Sequence, residues 1–182
     1  MAHRAITMQR TFEYLDKLTD PLIIVETGSL RTRNNWSGDG QSTILFDKYA
    51  QHRQGCIVYT VDIDPEASRQ CEQLVSHRVR VNTGDAVVFL HKLASNNQDP
   101  ELSWCFYLDA FDVDWGNPYP AAAHHMKELM AIGSLLRKDT LVVIDDSPAH
   151  PLGKGFMIHD YAKAIGATTL FHEYQLGIIG WH

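Results

Sequence analysis

The sequence predicts an α/β protein built on a doubly wound, mostly parallel sheet that closes with a C-terminal antiparallel hairpin. Three observations carry that expectation. Short apolar runs alternate five times with segments that read as helix or loop. The runs are continuous rather than alternating, as suits strands covered on both faces. The last two strand-like segments lie too close together for a crossover.

Taken in order, residues 5–19 place Met8, Phe12 and Leu15 at helical spacing, and Asp20-Pro21 stops the helix. Leu22-Ile23-Ile24-Val25 follows as the first strand. Residues 56–61, 79–82, 104–108 and 141–144 repeat the pattern. Between them, Asp64-Pro65 opens a helix striped by Ala67, Cys71 and Leu74, with Asp as cap and Pro in the first turn. Asp85 precedes a helix over 86–93, and Met126, Leu129, Met130 and Gly133 mark a longer one entered through Pro118 and Pro120. A helix over 156–164 leads to strands at 168–174 and 177–181, which must run antiparallel. Residues 29–41 form one long polar loop rich in Arg, Asn, Gly and Ser, of a length that is usually functional or disordered.

The 182 residues, 45% of them hydrophobic, suffice for one buried core, so a single domain over 1–182 is expected. No apolar stretch approaches the roughly 20 residues of a membrane span. The N-terminal segment lacks a secretory pattern, so a cytoplasmic location is expected. Cys56, Cys71 and Cys105 are odd in number and widely spaced, reading as reduced core thiols. A net charge of −6 disfavours nucleic acid as a partner. Arg31 and Arg33 remain able to grip a phosphate or carboxylate on a small substrate.

The chemistry gathers at the predicted strand ends, where doubly wound sheets bind ligands. Val25-Glu26-Thr27-Gly28-Ser29 sets an acid, a glycine and a serine after the first strand, suiting close approach of backbone to a ligand; a plain tight turn at Gly28 is the alternative. Asp62, at the tip of the second strand in Val58-Tyr59-Thr60-Val61-Asp62, suits a ribose diol, with a solvated loop carboxylate as the alternative. Asp85, in Asn82-Thr83-Gly84-Asp85, follows the third strand and also reads as a helix cap. Asp109 ends the fourth strand, and Asp145-Asp146 ends the fifth. Neighbouring strands lie about 4.8 Å apart, so these three carboxylates converge, and a cation must offset their repulsion. A hard oxygen-ligand ion such as Mg²⁺ fits that requirement.

These segments and the closing hairpin resemble the seven-stranded, Rossmann-like sheet of class I S-adenosylmethionine-dependent methyltransferases. The run of glycines usual after the first strand is cut short at Gly28 and resumes only at Gly38 and Gly40. The resemblance implies S-adenosylmethionine as methyl donor, held by Glu26, Gly28, Ser29, Asp62, Asp85 and Asp109, with Asp85 meeting the adenine amino group. The acid followed by a later acidic doublet resembles the metal-dependent O-methyltransferases of the catechol, macrocin and cephalosporin-hydroxylase-like type. That likeness implies Asp109, Asp145 and Asp146 around a divalent ion and a small hydroxylated acceptor. The catechol enzymes carry a lysine three residues after the first metal acid, where this chain has Asp112, and only about 20 residues precede the first strand. His150 is then the candidate general base by its unperturbed pKa, with Lys154 facing the same cleft. His124-His125 reads as structural, while Trp36, Trp115 and Tyr119 stand where rings cover an acceptor or simply pack. A short N-terminus and a long loop also suggest a site completed in a homo-oligomer. Alternatives from the residues alone are a metal-independent methyltransferase, a nicotinamide-dependent oxidoreductase, a metal-dependent glycosyltransferase or hydrolase using Asp62-Ile63-Asp64, and a non-catalytic binding module.

Overall fold

A computed structural model describes residues 4–36 and 41–181. Gly38 and Gly40, and most of the N-terminal segment read for a targeting signal, lie outside the described residues. Helix α1 (Ala5–Leu15) precedes β1 (Leu22–Thr27), and α2 (Gln41–His52) leads to β2 (Cys56–Asp62). Then follow α3 (Pro65–Leu74), β3 (Val79–Thr83), α4 (Ala86–Asn96), β4 (Ser103–Leu108) and α5 (Tyr119–Ala131). After β5 (Leu141–Ile144) come α6 (Phe156–Ala164), β6 (Thr168–His172) and β7 (Leu176–Ile179).

The seven strands form one sheet in the order β3-β2-β1-β4-β5-β7-β6. Strands β1 to β5 are parallel, and β7 lies antiparallel to both β5 and β6. The sheet is therefore mixed rather than mostly parallel. Its cause is local: only residues 173–175 separate β6 from β7, too few for a crossover, and β7 slots between β5 and β6.

Strand periodicity divides the core. Ile23, Val25, Trp104, Phe106, Leu108, Val142 and Ile144 pack with Leu90 of α4, Leu129 of α5 and Ile158 of α6. Their neighbours Leu22, Ile24, Cys105, Tyr107, Leu141 and Val143 face the other way, against Met8 and Leu15 of α1 and Phe46 of α2. Both faces are covered, which is why the parallel strands read as continuous apolar runs.

Several boundaries differ from the sequence reading: α1 ends at Leu15 rather than 19, β1 runs on to Thr27 rather than ending at 25, and α4 reaches Asn96 rather than 93. Residue 41 is the first of α2 rather than the last of a loop, an element whose polar composition hid it. The helix striped by Met126 and Leu129 ends at Ala131, and Gly133 opens a separate 3-10 turn, Gly133–Leu135. Strand β6 stops at His172 rather than 174, and Tyr174 turns to the site instead, while β7 spans Leu176–Ile179 rather than 177–181. Among the described residues no helix is long and apolar enough to cross a membrane.

Candidate functional site at the carboxyl ends of the strands

Chain order reverses between β1 and β4, and the two flanking turns approach closely there. Gly28 has φ +85°, and a Cβ on it would stand 2.9 Å from the Asp109 carbonyl oxygen. Its N–H donates to the Val61 carbonyl at 2.8 Å. Only glycine satisfies both the backbone angle and the separation. Two cavities meet at this point, sharing Gly28 and Arg31 in their walls.

The smaller cavity, about 150 Å³, is lined by Asp62, Ile63, Asp85, Ala86, Phe111 and His124, among others. Asp62 Oδ2 accepts the Ser29 N–H at 3.0 Å, and Oδ1 accepts the Asp64 N–H at 2.9 Å. Each oxygen retains a further lone pair for a ligand hydroxyl. Asp85 caps α4 through Oδ1, which accepts the Val88 N–H at 2.9 Å, so capping and cavity lining fall on one side chain. Gly84 also lines this space, and a Cβ there would meet no protein atom within 4 Å. Ile63 and Phe111 supply apolar, exposed surface at the mouth.

Glu26 lies behind the turn rather than in either cavity wall. It is fully buried, and its Oε2 accepts the Thr43 hydroxyl at 2.5 Å and the Thr60 hydroxyl at 2.9 Å. Thr43 in turn receives the Leu30 N–H at 3.1 Å, and the Thr60 hydroxyl meets that of Ser29 at 2.9 Å. Burial, against those hydrogen bonds, pushes the Glu26 carboxyl up to about 7. Glu26 is thus a buttress beneath the ligand-facing loop. Ser29, by contrast, reaches the larger cavity.

The larger cavity, about 310 Å³, has the acidic cluster as its floor. Asp109, Asp145 and Asp146 do converge, and positive charge does offset them, but the cations are side chains. Lys154 Nζ stands 2.7 Å from Asp109 Oδ1 and 3.3 Å from Asp146 Oδ2. Arg4 Nε reaches both Asp145 oxygens at 2.8 and 2.9 Å, and its Nη2 donates to Asp146 Oδ1 at 2.9 Å. The Tyr174 hydroxyl donates to Asp146 Oδ1 at 2.6 Å, and Gln175 Nε2 to the Tyr107 hydroxyl at 2.6 Å and Asp145 Oδ1 at 3.2 Å. Burial opposes charge at Asp145, but Arg4 outweighs it and holds that carboxyl below the usual range. Burial also opposes the Lys154 ammonium, which Asp109 and Asp146 nevertheless hold well above its ordinary pKa. Burial and the neighbouring acids raise Asp109, against the pull of Lys154.

The expected Mg²⁺ does not fit this arrangement. Such an ion needs about six oxygen ligands near 2.1 Å, whereas these carboxylates already face a guanidinium and an ammonium. Among the described residues no group of three or more His, Cys, Asp or Glu side chains is arranged to hold a metal ion.

The loop after β5 explains how Lys154 arrives. A Cβ on Gly153 would fall 2.0 Å from the Asp146 carbonyl oxygen, and the Lys154 N–H donates to that oxygen at 2.9 Å. Lys154 precedes α6 by two residues and is only 1% exposed. His150 is exposed and lines neither cavity, so the structure does not bring it to the acids. Asp112 and Trp115 line the larger cavity. Tyr119 instead packs its ring on Phe156 at 5.2 Å, and Trp36 is half exposed outside both cavities. His125 is structural as expected: burial lowers it to about 4, and its Nδ1 meets the Ala121 carbonyl at 2.7 Å. His124 departs from that reading by lining the smaller cavity and stacking on Phe111 at 5.3 Å. Sequence reasoning missed Arg4, Tyr174 and Gln175, which lie in no motif and arrive only through the packing of α1 and β7.

No protein-family model matches the sequence, and no curated protein is significantly similar to it. Solved structures do share its fold. A SAM-dependent methyltransferase from Anabaena variabilis is 10% identical with a TM-score of 0.51, over 91% of this chain and 59% of that one. A protein from Legionella pneumophila is 16% identical with a TM-score of 0.56, over 98% and 84%. DhpI, in complex with SAH, is 11% identical with a TM-score of 0.52, over 97% and 84%. This chain therefore spans little more than half the length of the Anabaena structure and most of the other two. Such low identities establish architecture alone: the chain has the class I fold of S-adenosylmethionine-dependent methyltransferases.

Proposed function

We propose that this chain binds S-adenosylmethionine across Gly28 and catalyses transfer of its methyl group to a small hydroxylated acceptor in the larger cavity. The observation that carries the reading is the meeting of two cavities at the β1–β4 reversal, with Asp62 and Asp85 at strand ends in the smaller one. The SAH held by DhpI, a protein of the same fold, supports the same ligand here.

In this reading Ile63 and Phe111 would offer apolar surface to the adenine, Asp85 would take its amino group, and Asp62 would take the ribose hydroxyls. Gly28 leaves room for the ligand to pass into the larger cavity, beside Ser29 and Asp109. When bound, the sulfonium supplies an activated methyl group, which passes to the acceptor oxygen as the sulfur–carbon bond breaks. The acceptor proton must leave, and Asp109, whose carboxyl is raised, is the base we assign. The Lys154 ammonium beside it stabilises the negative charge that develops on the acceptor oxygen. No step uses a metal ion, and His150 has no part in this scheme.

Calorimetric titration with S-adenosylmethionine and with S-adenosylhomocysteine tests the reading. Wild type is expected to bind both, and Asp62→Ala to weaken both at least tenfold. Absence of saturable binding of either ligand to folded wild type would overturn the proposal.

A further inference from the structure

We infer that Lys154 is a resident cation closing a latent divalent-cation site, so that the native cluster excludes hard metal ions and loss of this one side chain admits them. The inference rests on the geometry of the acidic cluster and stands apart from the methyl-donor reading.

Three carboxylates at the ends of neighbouring strands require positive charge between them, and either a side chain or an ion meets that need. Arg4 covers Asp145 and one oxygen of Asp146. Lys154 spans the remaining gap between β4 and β5. Its Nζ has Asp109 Oδ1 at 2.7 Å, Asp146 Oδ2 at 3.3 Å and the Asp109 carbonyl oxygen at 3.4 Å. These are three hard oxygens from two strand ends, the donor type that Mg²⁺, Mn²⁺ and Ca²⁺ prefer.

The backbone of the strand ends that carry these acids does not depend on the lysine side chain, although Asp109 Oδ1 and Asp146 Oδ2 themselves face its ammonium. Asp109 N–H donates to the Thr27 carbonyl at 3.0 Å, and Asp145 N–H to the Leu108 carbonyl at 3.1 Å, which pins both strand ends. The backbone of Lys154 is tied separately to the Asp146 carbonyl at 2.9 Å. Truncation at Cβ therefore leaves both acids on a pinned backbone, opens the space the ammonium filled and removes the positive charge beside Asp109. A divalent ion with completing waters answers both the space and the charge. In the native chain the ammonium occupies that point, and an ion would have to displace a side chain that is 1% exposed.

Manganese electron paramagnetic resonance reads binding directly, since the signal of aqueous Mn²⁺ falls when the ion is coordinated by protein. Wild type is expected to leave the signal unchanged through the millimolar range, while Lys154→Ala takes up about one Mn²⁺ per chain. Its Tm should rise by several degrees with Mg²⁺ or Ca²⁺ and return with chelator, as ligand linkage requires. The double variant Lys154→Ala/Asp109→Asn should lose most of that gain, and Lys154→Arg should behave as wild type. If Lys154→Ala does not fold alone, refolding is repeated in millimolar Ca²⁺: recovery supports the inference, and failure to recover overturns it. Stoichiometric Mn²⁺ binding by wild type, or a folded Lys154→Ala that neither binds Mn²⁺ nor gains stability, also overturns it. Neither readout involves S-adenosylmethionine, so failure here is distinct from failure of the proposed activity.

Discussion

Glu26→Gln should make the protein more stable at neutral and alkaline pH while leaving it unchanged in acid. The Glu26 carboxyl is fully buried, and burial raises it from 4.5 to about 7. Below pH 4.5 it is protonated whether folded or unfolded, so nothing is lost there. Between that pH and about 7 the unfolded chain releases a proton that the native state keeps. Native protein then binds more protons, and stability falls as pH rises, levelling once both states are ionised. At about 1.4 kcal/mol per unit, the gap corresponds to an upper bound of about 3.5 kcal/mol. Glutamine retains an oxygen for the Thr43 and Thr60 hydroxyls and removes the titration. Urea unfolding followed by tryptophan fluorescence, from pH 4 to 8.5, measures the difference between the two proteins, in which other titrating groups cancel. The expected difference is near zero at the acid end and rises in favour of the variant to about 2–3 kcal/mol at pH 8. A difference that is flat with pH, or that favours wild type increasingly toward pH 8, would refute the assignment of a raised carboxyl to Glu26.

Three further outcomes follow from the same geometry. Gly28→Ala forces a Cβ into a left-handed backbone and to 2.9 Å from a backbone oxygen, so it should cost at least ~2 kcal/mol and lower the Tm by about 4–8 °C; thermal unfolding checks it, and a change below about one degree would contradict the strain. Asp85→Ala should cost about 1 kcal/mol through the lost α4 cap, whereas Asp85→Asn keeps the cap yet weakens S-adenosylmethionine binding several-fold; equal affinity in Asp85→Asn and wild type would leave Asp85 only its capping role. Burial raises Cys56 to about 11 and Cys71 to about 12, and Cys105 further still. All three thiols are buried and unpaired, so a disulfide reagent at pH 8 should label none in the native protein and all three after denaturation.

What the sequence revealed divides by range. Strands covered on both faces leave a local signature, so the apolar part of Leu22–Thr27, residues 22–25, and Leu141–Ile144 were legible from a few consecutive residues. The caps at Asp64 and Asp85 were legible for the same reason, since each side chain accepts from a backbone N–H two or three residues on. Helix α2 was not, because its buried face includes Gln41, Ser42, Thr43 and Asp47, which carry no hydrophobic period. Glu26 misled in a different way: a strand-end acid looks ligand-facing, and only the two threonines it meets, 17 and 34 residues away, turn it inward.

The acidic cluster shows the same limit acting on chemistry. That Asp109, Asp145 and Asp146 meet is a consequence of parallel strands ending side by side, and the need for a compensating cation is a consequence of electrostatics alone. Neither argument distinguishes an ion from an ammonium or guanidinium. The distinction is made by Arg4, 141 residues from Asp145, and by a lysine delivered through the tight passage at Gly153. Both depend on tertiary packing that leaves no spacing rule behind. A strand-end acid pair therefore predicts the sign of its partner but not its kind. The partner's kind decides whether a site should respond to chelators, and in this protein the arrangement of Lys154 predicts that the proposed activity does not.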